Sequence, residues 1–187
     1  GFTPASADQA VVRMERRSWL VAGLAALCAL LVYLLTLAPG LTWHNDGADG
    51  GDLIAAVVTG GVPHPSGYPT YLLFGEVAAR LPIGDLAYRF NLLSAVTAAA
   101  AAGLTLQAAR VALGKSFVGN EGMRLGAAAM AALTTAFSSI LWSQAVITEV
   151  YALNAFFVAL SLYLALRART AGNRSPIWVA AAGALGL

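Results

Sequence analysis

Apolar residues in this chain fall in long unbroken runs rather than alternating with polar ones. One run spans Trp19–Ala38, and a second, very rich in alanine, spans Asn91–Ala109. In a third stretch, Leu125–Leu166, Glu149 is the one charged residue. About 20 apolar residues cross a bilayer, so the first two runs are each one span. The third, as a single helix, would be about 63 Å long, twice the hydrocarbon thickness. The chain must turn back inside it, and the polar cluster from Trp142-Ser143-Gln144 to Thr148-Glu149 is the place. The pattern predicts spans at about 19–38, 89–110, 125–143 and 149–167. A fifth run, about 176–187, is still apolar at Leu187, so a fragment of a longer protein is expected.

The segment between the first two spans, 39–88, is too long for a simple connector. Asp52–Val58 reads as a short helix that starts near Asp49 or Gly50 and stops at Gly60-Gly61. Tyr71–Leu81 reads as a second, opened by Pro69 and closed by Pro82. Both are too short to span and are expected to lie at the membrane surface. Between them, His64-Pro65-Ser66-Gly67-Tyr68-Pro69 carries enough proline and glycine to fix a rigid turn. The fold class read from this pattern is all-α and polytopic: a short N-terminal segment, 1–18, then a transmembrane module over 19–187.

Composition supports that class. Apolar residues make up 59% of the chain and charged residues 11%, against roughly 25% charged in a soluble domain. So few charges cannot cover the surface of a small soluble protein, and lipid takes the rest. The net charge of +2 gives no reason to expect nucleic acid. A single cysteine, Cys28, excludes an intrachain disulfide. Arg13, Arg16 and Arg17 precede the first run as in a signal peptide, but the run is too long and Leu35–Pro39 makes a poor cleavage site, so a retained helix is expected.

Charge position sets an orientation. Arg13, Arg16, Arg17, Arg110, Lys115, Arg124, Arg167, Arg169 and Arg174 share one side if the spans alternate. The other side holds Arg80 and Arg89 with Asp46, Asp49, Asp52, Glu76, Asp85 and Glu149. The Arg-rich side, with the N-terminus, is expected in the cytoplasm. The alanine run Ala98–Ala102 is read as close helix packing.

The polar constellations each admit two readings. Asp46, Asp49 and Asp52 fit a solvated turn with an acidic helix cap, or a general base or cation site at the membrane surface. Their spacing is not that of an EF-hand. His64, between two prolines, is a hydrogen-bonded structural group or a positioning one. Glu149, with Tyr151 and Asn154, is an interfacial carboxylate beside an aromatic belt or a functional acid at membrane depth. Arg89 and Asn91 open the second span; Arg89 either snorkels to headgroups or grips a phosphate.

Four motifs, in order, resemble a known family: Asp49-Gly50-Gly51-Asp52-Leu53-Ile54-Ala55-Ala56, His64-Pro65-Ser66-Gly67-Tyr68-Pro69, Arg89-Phe90-Asn91-Leu92-Leu93-Ser94, and Trp142-Ser143-Gln144-Ala145 running on to Thr148-Glu149-Val150-Tyr151-Ala152-Leu153-Asn154. They are similar to bacterial and eukaryotic membrane proteins related to protein O-mannosyltransferases, within the GT-C glycosyltransferase superfamily. The resemblance covers about Tyr33–Leu166. That family usually has Asp-Ser-Gly-Glu where this chain has Asp49-Gly50-Gly51-Asp52, and a second proline at Ser66. The resemblance implies a GT-C-like N-terminal module and transfer of a sugar from a polyprenyl-phosphate carrier to an acceptor hydroxyl outside the cytoplasm. It implies catalytic roles for Asp49, Asp52 and Glu149. Substrate contacts are then expected from His64, Tyr68, Arg89, Asn91, Gln144 and Tyr151. This reading names no definite cofactor, and a divalent cation at the carboxylates stays open. Expected partners are membrane lipid, the polyprenyl-phosphate donor, an acceptor protein or lipid and other membrane subunits; the expected location is a bacterial inner membrane. The rival reading is a non-catalytic transmembrane accessory subunit built on the same module. A transporter fits less well, because no span centre carries a charge.

Overall fold

The computed structural model describes residues 4–114, 117–170 and 183. The element order is α1 (Pro4–Thr36), a 3₁₀ turn (His44–Asp46), α2 (Gly50–Thr59), α3 (Pro69–Ala79), α4 (Leu86–Leu113), α5 (Glu121–Ala136), α6 (Ser139–Ala145) and α7 (Tyr151–Thr170). Three of these are long and apolar enough to cross a membrane: α1 over Val11–Thr36, α4 and α7. The chain is a helical integral membrane protein. The helix that carries the first apolar run begins before Trp19, since α1 is already helical through residues 4–18.

The third expected span, 125–143, does not fall on one straight helix. It is a pair of helices, α5 and α6, bent by 62° at Phe137-Ser138. Ser138 adopts an extended backbone and its hydroxyl accepts from the Leu141 N–H, so a new helix starts there. The polar cluster runs through the end of α6 into the connection between Ala145 and Tyr151, where α7 begins. The fifth expected span falls outside the described residues.

Small residues face inward and large ones outward. On α1, Ala22, Ala25, Ala29 and Tyr33 are buried while Leu20, Leu24, Leu27, Leu31 and Leu35 are exposed. That arrangement suits lipid, where packing rather than water exclusion holds helices together. α4 is the central helix, packed by α1, α3, α5 and α7, and it buries Ala95, Ala98, Ala99, Ala101 and Ala102. The alanine run therefore serves packing.

Polar groups tie the two ends of the bundle. At one end Arg110 is buried and bonds Glu15 at 3.1 Å, with Glu121 at 3.8 Å, while Arg167 reaches the same Glu15 at 3.0 Å. Gln107 links Arg110 to Ser18. At the other end the Tyr33 hydroxyl donates to the Ala136 carbonyl at 2.7 Å, and the Ala38 N–H donates to the Val146 carbonyl at 2.9 Å.

The two short helices sit at this second end, within a residue or two of their expected bounds. Gly60 ends α2 in the left-handed region at φ +65°. α3 lies close against α2 and α4: a Cβ at Gly75 would meet Val57 at 2.8 Å and Phe90 at 2.9 Å. Leu53, Tyr71, Phe90, Leu153 and Phe157 form the apolar floor beneath them.

Candidate functional site

The site assembles where α2, the 64–68 turn and the α6–α7 connection meet. Asp49 occupies the cap position of α2, but its side chain makes no capping bond. Asp52, in the first turn, sends its carboxylate to His64 instead: Oδ2 accepts from the His64 backbone N–H at 3.0 Å and lies 2.8 Å from Nδ1. The acidic-cap reading of these aspartates thus gives way to a shared interaction with His64. Nε2 of His64 is 3.4 Å from Asp49 Oδ2 and 3.4 Å from the Tyr68 hydroxyl. The imidazole therefore bridges the two carboxylates.

The turn is held for this. Its glycine closes back, Gly67 N–H to the His64 carbonyl at 2.9 Å. Tyr68 takes a left-handed backbone, φ +42°, to start α3. Asn45 and Asp46 are left-handed too, at φ +58° and +59°. Non-glycine residues in that region cost energy and persist where the surroundings impose them.

Burial grades across the site. Asp49, Asp52 and His64 keep 37%, 48% and 39% of their side chains exposed. Glu149, just beneath, is 2% exposed. Its Oε1 accepts from the Asp49 backbone N–H at 3.4 Å, and its Oε2 has no partner. Hydrogen bonds from His64, backbone N–H first, hold the Asp52 carboxyl below the usual carboxylate range. The bond to Asp52, aided by the charges of Asp49 and Glu149, pushes the His64 imidazole up. Burial, then the negative charge of Asp49, pushes the Glu149 carboxyl up. A partly exposed aspartate, an imidazole bonded to a second carboxylate and a buried acid are thus gathered at one end of α2, a set suited to moving a proton.

Asp49, Asp52, His64, Tyr68 and Glu149 converge. Asn91 is buried below them, donating to the Ala38 and Gly40 carbonyls at 2.8 and 3.1 Å and accepting from Thr148 at 2.6 Å, so it ties the loop to α4. Gln144 donates to the Asn45 carbonyl at 3.1 Å. Arg89 lies apart: its guanidinium donates to the carbonyls of Ile83, Ala79 and Gly84. Tyr151 is exposed and lines, with Gln144, Ile140 and Leu141, a mostly apolar groove of about 620 Å³. Among the described residues no set of three or more His, Cys, Asp or Glu is arranged to hold a metal ion.

Two further residues here were not among the expected site residues. Thr148 anchors the strip next to Glu149, and Tyr71, 3% exposed, has a buried hydroxyl without a partner. In sequence Tyr71 is one more aromatic in a short apolar helix.

Comparison with known proteins fits these motifs. No solved structure matches. The chain is 36% identical to mouse protein O-mannosyl-transferase TMEM260 over 160 residues, which is 83% of this chain and 21% of that protein. It thus spans about a fifth of that relative's length. The relative is eukaryotic, which removes support for the bacterial inner membrane expected above; an integral membrane protein is what stands. The model of the protein O-mannosyl-transferase TMEM260 N-terminal domain matches residues 49–187, from the first aspartate of the site onward, and the chain belongs to that family.

Proposed function

We propose that this chain is the N-terminal part of a membrane glycosyltransferase that moves a sugar from a polyprenyl-phosphate carrier to an acceptor hydroxyl on the extracytoplasmic face. The observation that carries the reading is the Asp49–His64–Asp52 bridge: a carboxylate left free by its own helix, open to solvent and backed by an imidazole. In this mechanism Asp49 accepts the proton of the attacking hydroxyl. Asp52 fixes the His64 ring through Nδ1, and the positive imidazole balances Asp49 until the proton arrives. The groove beside Tyr151 and Gln144 takes the apolar chain of the donor. The partition of Lys and Arg supports an extracytoplasmic site, with the Arg110–Glu15 end in the cytoplasm.

The test is Asp49→Asn in the full-length protein, which keeps the shape and removes the base. Transfer from a polyprenyl-phosphate sugar is expected to fall by a factor on the order of 10²–10⁴. Expression and membrane insertion should persist. Unchanged transfer removes Asp49 from the mechanism. A wild-type protein that transfers nothing supports the accessory-subunit reading instead.

A further inference from the structure

The bend between α5 and α6 is fastened from outside, by the end of α1. In an unbroken helix the Ala136 carbonyl would accept from the Ile140 N–H, four residues on. Here it accepts from the buried Tyr33 hydroxyl at 2.7 Å instead. One turn further along α1, the Thr36 hydroxyl oxygen accepts from the Trp142 indole N–H at 3.0 Å, and the Ala38 N–H donates to the Val146 carbonyl at 2.9 Å. The rings follow the same path: Tyr33 and Trp142 each meet Phe137 edge-on, with centroids 6.5 and 5.6 Å away. Three hydrogen bonds thus tie the end of α1 to the last residue of α5, to α6 and to the residue after it.

The fastened side of α6 is not its groove side. Trp142 and Val146 lie four residues apart, so both fall on the side toward α1. Ile140, Ser143 and Gln144 fall on the other side and line the groove of about 620 Å³, together with Thr135 before the bend and Tyr151 on α7. The groove takes its walls from both sides of the 62° break, so it exists because the helix is broken there.

We propose that Tyr33 is a positioning residue for the apolar chain of the donor: by occupying the Ala136 carbonyl, its hydroxyl keeps the helix broken and the groove open. The donor in that groove rests on the proposed function above. Without the hydroxyl the buried carbonyl is left unpaired, and the replacement donor that the chain itself supplies is the Ile140 N–H. Making that bond straightens the backbone through 137–140 and swings α6 out of the place where it walls the groove. Tyr33 bonds α5 and not the Asp49–His64–Asp52 set, so it acts on the seating of the lipid chain and not on the proton at Asp49.

Amide exchange in the full-length protein reads the bend without needing activity. In Tyr33→Phe, which keeps the ring, exchange at the Ile140 amide should slow as that N–H takes the Ala136 carbonyl. Unchanged or faster exchange in folded Tyr33→Phe overturns the proposal. With a long-chain polyprenyl-phosphate sugar, Tyr33→Phe should raise KM by roughly tenfold, the size of one lost hydrogen bond, and keep kcat. The same sugar phosphate on a short chain, which does not fill the groove, should keep its KM. A general loss of structure moves both donors and kcat together, and that result overturns the positioning role. Thr36→Val loosens only the α6 end of the fastening and should raise the long-chain KM alone. It carries the test if circular dichroism shows Tyr33→Phe unfolded, and an equal effect on both donors, or none, then overturns the proposal. A wild type that uses no polyprenyl-phosphate donor sinks the proposed function, while slowed Ile140 exchange in Tyr33→Phe leaves the fastened bend standing without it.

Discussion

Asp49 and Asp52 open the same short helix, yet both turn their carboxylates to His64 rather than to the helix N–H groups. That choice makes the turn pH-sensitive. The raised His64 contributes order fully below its unfolded value near 6.5 and loses it as pH climbs through the folded value. The lowered Asp52 contributes fully above its unfolded value near 3.8 and loses it as pH falls through the folded value. Both contributions are complete together between those two values. Amide-exchange protection of residues 62–68 should therefore be greatest in that window and decline on either side. His64→Ala should flatten the profile; a profile unchanged by that substitution would show that the bridge does not hold the turn.

At the scale of elements, the site depends on how α2 and the loop end. Gly60 is left-handed with nothing near its missing side chain, so Gly60→Ala tests the backbone alone. It should destabilise by about 1–2 kcal/mol, measured as a lower unfolding midpoint in detergent. Asn91 joins the loop to α4 and the α6–α7 connection through three bonds. Asn91→Leu strands two carbonyls and the Thr148 hydroxyl and should cost about 2 kcal/mol or more. Its effect on transfer should follow from loosened Glu149 rather than lost substrate contact, so kcat should drop more than KM rises. The reverse pattern would support the substrate contact expected of Asn91.

The whole molecule separates an end that holds Asp49, Asp52 and His64 from one that holds the Arg110–Glu15–Arg167 network. Glu15 links Arg110 on α4 to Arg167 on α7, and Arg110 is buried. Glu15→Gln leaves Arg110 with the more distant Glu121 and should lower stability by about 2 kcal/mol, read in the same unfolding assay. A loss of less than a few tenths would mark the network as incidental. Sidedness is checked by labelling in a Cys28→Ser background, since Cys28 is exposed on α1. An impermeant reagent outside the cell should modify a cysteine at Ser66 and not one at Ser116. The opposite result inverts the topology and moves the site to the cytoplasm.

The sequence alone determined the helical membrane class, the long apolar helices α1, α4 and α7 and the two short helices, because each is set by local runs of apolar residues or by glycine and proline at the boundaries. It also picked out Asp49, Asp52, His64 and Glu149, since carboxylates and a proline-flanked histidine stand out in an apolar chain. Only the tertiary structure decided what each touches. The bend at Ser138 arises from hydroxyl bonding inside an apolar run, which hydropathy cannot distinguish from a straight span. Arg89 looked like a phosphate clamp, but the fold of 79–84 presents three carbonyls to its guanidinium. Tyr71 was silent because an aromatic in a short helix reads the same whether its hydroxyl meets water or is buried. Glu149 and Asp49 are a hundred residues apart, and their contact follows from α2 and the α6–α7 connection being drawn to the same end of α4.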